Sequence, residues 1–295
     1  MMIKPNIPED LVADGWTDIT KILTGLVLND PEAAASPEAL AETFEMADFV
    51  NMEKIRSRVD EIVTDPKTAK ALKPYYRQFC KRPCFHDEYL QTFNRENVTL
   101  VDTNGQGVER ITEKGVVVDG VEYELDCLIL ASGFEVGTDY GQRAGFEPVG
   151  TDGKSLTQHW SDGARTMHGL HMSGFPNCYL MGITQSGFTV NFVYILDETA
   201  KQIAYTIHQC LENDITRLEV SPEAEQSWVD LVYEHSDDKT TEFSSNCTPG
   251  YYNNEGKVKD TVRVDNFFNG EQPDEFIRIL EEWRANGGMP GMISS

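Results

Sequence analysis

Asp126-Cys127-Leu128-Ile129-Leu130-Ala131-Ser132-Gly133-Phe134 is a continuous apolar run that closes on three small residues. A strand with apolar side chains at every position is one buried on both faces, the situation of a central strand in a parallel sheet. Small residues at the carboxyl end of such a strand let a ligand approach the backbone. The run therefore predicts an α/β fold with a ligand site near residues 131–134.

Immediately upstream, Val116-Val117-Val118 and Val121-Glu122-Tyr123-Glu124-Leu125 flank Asp119-Gly120, the dipeptide favoured in two-residue type I′ turns. This predicts a hairpin over 115–125. Residues 97–101 read as a further short strand. The chain before about Leu72 reads as helical. Ser36-Pro37-Glu38 supplies a cap and a first-turn proline, and Phe44, Phe49, Ile55, Val59 and Ile62 form an apolar face. Asp65-Pro66 ends that helix and opens a short one. Downstream, residues 177–182 read as a strand, and helices are expected over 191–212, 222–242 and 273–286.

Composition narrows the function. Forty-nine Asp and Glu stand against 25 Lys and Arg, a formal net charge of −24. That balance opposes binding to a phosphate backbone or an anionic membrane surface, since both need a local surplus of Lys and Arg. No apolar stretch approaches the roughly 18 residues of a membrane span. No secretory signal is visible, and six cysteines scattered along the chain read as reduced thiols, so a cytoplasmic location is expected. His159, His168 and His171 share a Gly-rich segment, where they read either as a metal site or as ordinary histidines, the latter favoured because Gly169 and Gly174 oppose a helix there.

Neither a G-x-G-x-x-G opening a helix nor a P-loop, H-E-x-x-H or G-x-S-x-G occurs. Gly105-Gln106-Gly107-Val108-Glu109-Arg110 lacks the third glycine and precedes a strand.

Several segments together resemble the C-terminal half of Baeyer–Villiger monooxygenases, the class B flavoprotein monooxygenases. They are Cys80-Lys81-Arg82-Pro83, then Phe93-Asn94-Arg95-Glu96-Asn97-Val98, then Ala131-Ser132-Gly133-Phe134-Glu135. Leu156 to Trp160 with Gly174-Phe175-Pro176-Asn177 follow, and then Thr248 to Gly256, which is similar to members acting on bulky cyclic or steroid-like ketones. The resemblance implies an incomplete fold. It is the C-terminal portion of a flavoprotein with two Rossmann-like dinucleotide domains, for FAD and for NADP. Residues 1–72 would be a helical insertion of the NADPH domain, 73–103 the end of that domain and 104–295 the C-terminal part of the FAD domain.

In that family FAD and NADPH carry the insertion of one oxygen atom from O2 into a ketone, giving an ester or lactone. The resemblance makes Arg82 the catalytic cation and puts Lys81 near NADP. It lays Ala131, Ser132, Gly133 and Phe134 against a cofactor and sets Gln185, Ser186 and Asn191 around the flavin or substrate. Phe188, Phe192, Tyr251 and Tyr252 become pocket walls. A separate N-terminal half is the expected partner. The competing readings are a non-catalytic remnant and an interaction module built on half a fold. With no phosphate-cradling glycine loop in the sequence, the purified chain should be colourless. A stoichiometric yellow flavin seen by visible absorption would contradict this.

Overall fold

A computed structural model describes residues 15–133, 140–187, 191–235, 245–250, 253, 256 and 274–295. The chain divides into two compact units between residues 134 and 135. The boundaries expected at 72/73 and 103/104 both lie inside the first.

The first unit begins with helix α1 (Gly15–Asn29), a 3-10 turn over Pro31–Ala34 and the long helix α2 (Pro37–Ile62). Ser36 caps α2 by accepting from the Ala39 N–H at 3.2 Å, and Pro37 fills the first turn, where a missing N–H costs nothing. Helix α3 (Pro66–Leu72) starts the same way, with Asp65 accepting from Thr68. Leu23 and Ala47 pack with Ile22, Leu26, Val27 and Phe44, joining α1 to α2. Val59, Val63 and Ala69 form a second cluster with Leu72 and Leu90, the latter on the short helix α4 (Tyr89–Thr92).

The expected apolar face of α2 is only partly the buried one. Phe49 is 58% exposed and Ile55 is also exposed, while Ala47, Asp48, Asn51, Met52 and Val59 are buried. The helix buries a polar strip because residues 77–80 dock there through hydrogen bonds.

The hairpin forms as expected. Strands β2 (Gly115–Val118) and β3 (Val121–Glu124) are antiparallel, with β1 (Arg110–Ile111) on the other edge of β2. Asp119 and Gly120 both have positive φ, 48° and 73°, as a type I′ turn requires. Gly115 is needed because a Cβ there would collide with the Tyr123 carbonyl.

Residues 97–101 and the described part of the 126–134 run are not strands. Leu128 is 43% exposed, Ile129 83% and Leu130 79%. No backbone hydrogen bond to residues 126–133 occurs among the described residues. The physical reason is an absence of neighbours: a strand apolar on both faces needs a partner on each edge and cover on each face. The described residues supply no parallel strand pair.

The second unit holds α5 (Tyr140–Ala144), α6 (Leu156–His159), α7 (Phe192–Glu212), β4 (Leu218–Val220), α8 (Pro222–Glu234), α9 (Glu275–Asn286) and β5 (Met292–Ser294). β4 and β5 pair antiparallel. The core is Ile195 of α7, Trp228 and Val232 of α8, and Phe276, Ile277, Leu280 and Trp283 of α9, closed by Met167, Leu218, Val220 and Met289. Ile195, Thr199 and Gln202 keep the expected helical register on the buried face of α7. The strand expected over 177–182 is irregular; Asn177 instead bonds β4, donating through its backbone N–H to the Leu218 carbonyl at 2.8 Å and accepting from the Leu218 N–H at 3.0 Å. Helix α8 stops at Glu234, short of the expected residue 242, whose surroundings lie outside the described residues.

Four cysteines, Cys84, Cys127, Cys178 and Cys210, are free thiols. No described helix is long and apolar enough to cross a membrane.

An exposed pair such as Ile129 and Leu130 is a self-association hazard. Replacing both with Lys should lower the aggregated fraction of the purified chain in light scattering without shifting its melting temperature. A parent chain that is already monodisperse would contradict this.

Candidate functional site

Lys81 and Arg82 follow a 3-10 turn, Gln78–Cys80, that α2 holds in place. Asp48 accepts from the Gln78 N–H at 2.9 Å, and Asn51 donates to the Gln78 side-chain oxygen at 2.6 Å. All three are buried. Burial pushes the Asp48 carboxyl above its ordinary value, against the Gln78 N–H and the charges of Arg77 and Arg56. Arg77 also pairs with Glu45 of α2 at 3.1 Å. The cationic pair thus stands on a buried polar mount. Lys81 lies over the Tyr76 ring, 5.7 Å from its centroid. The Arg82 guanidinium is exposed and has no hydrogen-bond or ion-pair partner among the described residues. It is a cation available to an anion.

Asn94, of the Phe93–Val98 segment, bonds the other end of α2. It donates to the Ile62 carbonyl at 2.7 Å and accepts from the Thr64 N–H at 2.9 Å, closing the C-terminal end of α2. Ala131, Ser132 and Gly133 belong to the same unit and are exposed. Gly133 has φ 96°, with open space where a side chain would be. Phe134 lies outside the described residues.

In the second unit, Gln185 is fully buried and its carboxamide is fully engaged. It accepts from the Thr166 hydroxyl at 2.7 Å and donates to the Ala164 carbonyl at 2.8 Å. The Gln185 side chain therefore braces the loop over 182–187, and Ser186 donates to the Gly182 carbonyl within it. Asn191 caps α7, accepting from the Tyr194 N–H at 3.3 Å. Phe192 follows it, 41% exposed. Phe188, Tyr251 and Tyr252 lie outside the described residues. Asn253 is buried; its side-chain oxygen accepts from the Gly250 and Gly256 N–H groups, and its nitrogen donates to the Cys247 and Thr248 carbonyls.

Sequence reading missed Glu225. This carboxylate is 2% exposed. It is bonded by His159 Nε2 at 3.0 Å, the Ser173 N–H at 2.9 Å and Arg165 Nε at 3.2 Å. Burial pushes the carboxyl up, but the bonds from His159 and Ser173 and the charges of His159 and Arg165 outweigh it and leave it below its ordinary value. The available signal was register: Glu225 shares a helical face with Trp228, Val229 and Val232, all buried.

The remaining histidines bind no cluster of metal-ligating side chains among the described residues. His168 (φ 59°) and Gly169 (φ 71°) form a tight turn closed by the Leu170 N–H on the Met167 carbonyl. The His168 ring meets Trp228 and Trp283 edge-on. Burial lowers the His168 pKa from 6.5 to about 3 and the His171 pKa to about 4, so both are neutral near pH 7.

No family model matches the chain. Pentalenolactone D synthase of Streptomyces exfoliatus is 47% identical over 286 residues, which covers 96% of this chain and 49% of that protein. Baeyer–Villiger monooxygenase ATR8 of Stachybotrys chlorohalonatus is 41% identical, covering 97% and 46%. Among solved structures, the polycyclic ketone monooxygenase of Thermothelomyces thermophila superposes with a TM-score of 0.81 at 34% identity, covering 98% of this chain and 47% of that one. An oxidised steroid monooxygenase bound to NADP gives 0.65 at 26% identity, covering 84% and 46%. The chain spans about half the length of the relatives it matches.

Acid should destabilise the second unit in two ranges. Unfolded His168 and His171 take up protons below about pH 6.5 while the folded residues refuse them down to about 3 and about 4 respectively, so stability falls with pH across that window. Glu225 contributes above its unfolded value and loses that contribution as pH drops through its lower folded one. Urea midpoints taken from pH 7 to pH 4 should decline, and His168→Phe should flatten the slope. At pH 7, Glu225→Ala should cost about 3–5 kcal/mol, because Arg165 and His159 lose a buried counter-charge. A loss below about 1 kcal/mol would show the cluster to be solvated.

Proposed function

Because this chain is homologous to Baeyer–Villiger monooxygenases over the half of their length that it spans, we propose that it is the catalytic-cation half of such an enzyme. It would work with FAD, NADPH and O2 on a ketone, and with a complementary half carrying the nucleotide fingerprints. The observation that carries this is Arg82, an exposed guanidinium without a partner among the described residues, beside Lys81 and next to a turn held by buried polar groups.

The residues present fit the border of a cofactor and not its diphosphate. Ala131-Ser132-Gly133 offers small side chains, and backbone with no hydrogen bond among the described residues, to a flat ring system, while no glycine loop of the sequence cradles a phosphate. When bound, a reduced flavin supplies activated oxygen for attack on the ketone. The chain's own contribution is electrostatic. Arg82 stays protonated and directs a rigid fork of donors at negative charge developing on oxygen. Asp48 and Asn51 fix Gln78, and with it the backbone turn from which Arg82 emerges. Lys81 answers the charge of the NADP ribose or phosphate. Asn191 and Phe192, at the start of α7, and Phe188, Tyr251 and Tyr252 border the ketone. The match over Thr248–Gly256 favours bulky cyclic substrates. An acidic chain with no membrane-length helix among its described residues suits a cytoplasmic enzyme.

The test is the chain assembled with a complementary half. Arg82→Ala should retain FAD yet lose ester formation by at least about 10²–10³-fold, the cost of one preorganised donor. Arg82→Lys should not restore it, because a point charge lacks the planar fork. Lys81→Ala should chiefly raise the NADPH requirement. Ester formation by Arg82→Ala at near the parent rate, measured beside NADPH consumption, would remove Arg82 from the site.

A further inference from the structure

Gln185 adopts φ 54°, a left-handed conformation that a non-glycine residue rarely takes. Such a conformation persists where the surroundings over-determine it, and it concentrates at functional sites. Here the surroundings are fully specified. The Gln185 carboxamide is spent on Thr166 and Ala164, at 2.7 and 2.8 Å. The Thr166 hydroxyl also accepts from the Gly169 N–H at 3.1 Å. A Cβ on Gly169 would lie 2.8 Å from the Thr184 carbonyl, so segments 164–169 and 184–186 are pressed together with no room for a side chain. The Gln185 backbone carbonyl accepts from the indole N–H of Trp228 at 3.0 Å. Trp228 is 4% exposed, and its ring is fixed by His168 at 4.9 Å and Phe276 at 6.0 Å. One helical turn earlier on α8, Glu225 holds His159, Arg165 and Ser173. A single turn of α8 therefore fastens both segments.

We propose that Trp228 is a positioning residue: its N–H fixes the left-handed Gln185 and so sets residues 182–187 and the start of α7, where Asn191 and Phe192 stand. The inference rests on the reading of α7's first turn as part of a ketone-oxidising site. It assigns the positioning to an indole buried in the core of the second unit. Glu225 anchors the same helix from the other side, and Gln185 acts through its brace on the loop and not through contact with a ligand.

Trp228→Phe keeps an aromatic ring in the core but removes the indole N–H together with part of the ring's volume, leaving the Gln185 carbonyl without that donor. Gln185→Gly relieves the backbone conformation and deletes the brace. Hydrogen exchange on the full chain should show peptides spanning 182–195 exchanging at least about tenfold faster in both variants, with peptides spanning 37–62 of the first unit unchanged. In the chain assembled with a complementary half, ester formed per NADPH consumed should fall, with NADPH affinity preserved. Unchanged exchange over 182–195 in Trp228→Phe overturns the inference. Faster exchange with an unchanged ester-to-NADPH ratio also overturns it, since the bond would then be structural only. Slower exchange over 182–195 in Gln185→Gly would show that relief of the backbone outweighs the brace, and overturns it as well. If the parent assembly makes no ester, the proposed function fails, and the exchange result alone decides the role of Trp228.

Discussion

A peptide strand that is apolar on both faces has to find its hydrogen bonds sideways, from neighbours. Residues 126–133 carry that requirement and find no such neighbour among the described residues of this chain. Ile129 and Leu130 stand largely in solvent as a result, and the described residues of the first unit form a three-stranded antiparallel sheet beside their helices. This one constraint explains why an α/β sequence folds here into a mainly helical pair of units.

What the two units do complete on their own is support. In the first, Asp48 and Asn51 hold Gln78 by buried hydrogen bonds and so fix the turn that precedes Lys81 and Arg82. In the second, Glu225 and Trp228 fasten two segments to one helix turn. Both devices bury polar groups with partners, and a buried polar network that is fully satisfied rigidifies its surroundings. The acidic surface contributes to solubility and says nothing about either device.

Local chemistry was legible. Asp119-Gly120 dictated its turn, Ser36 and Asp65 their caps, and Asn191 the start of α7. Those signals act within a few residues and need nothing from elsewhere. Strands 97–101, 126–134 and 177–182 read correctly as apolar and wrongly as paired, because pairing depends on chain that pattern alone does not supply. The buried face of α2 was misread since Asp48 and Asn51 look solvated until the backbone of Gln78 arrives to meet them. For the candidate site, the resemblance picked out Arg82 and the 131–134 strand end from their motifs. Glu225 and Trp228 belong to no motif; they emerge only from the contacts of α8.

The most direct test of this account is amide hydrogen exchange at residues 127–133, measured on the chain alone and after addition of a complementary half carrying the two nucleotide fingerprints. The account predicts no protection in the isolated chain and strong protection in the assembly, as unpaired amides acquire strand neighbours. Amides already protected in the isolated chain, or left unprotected in the assembly, would contradict it.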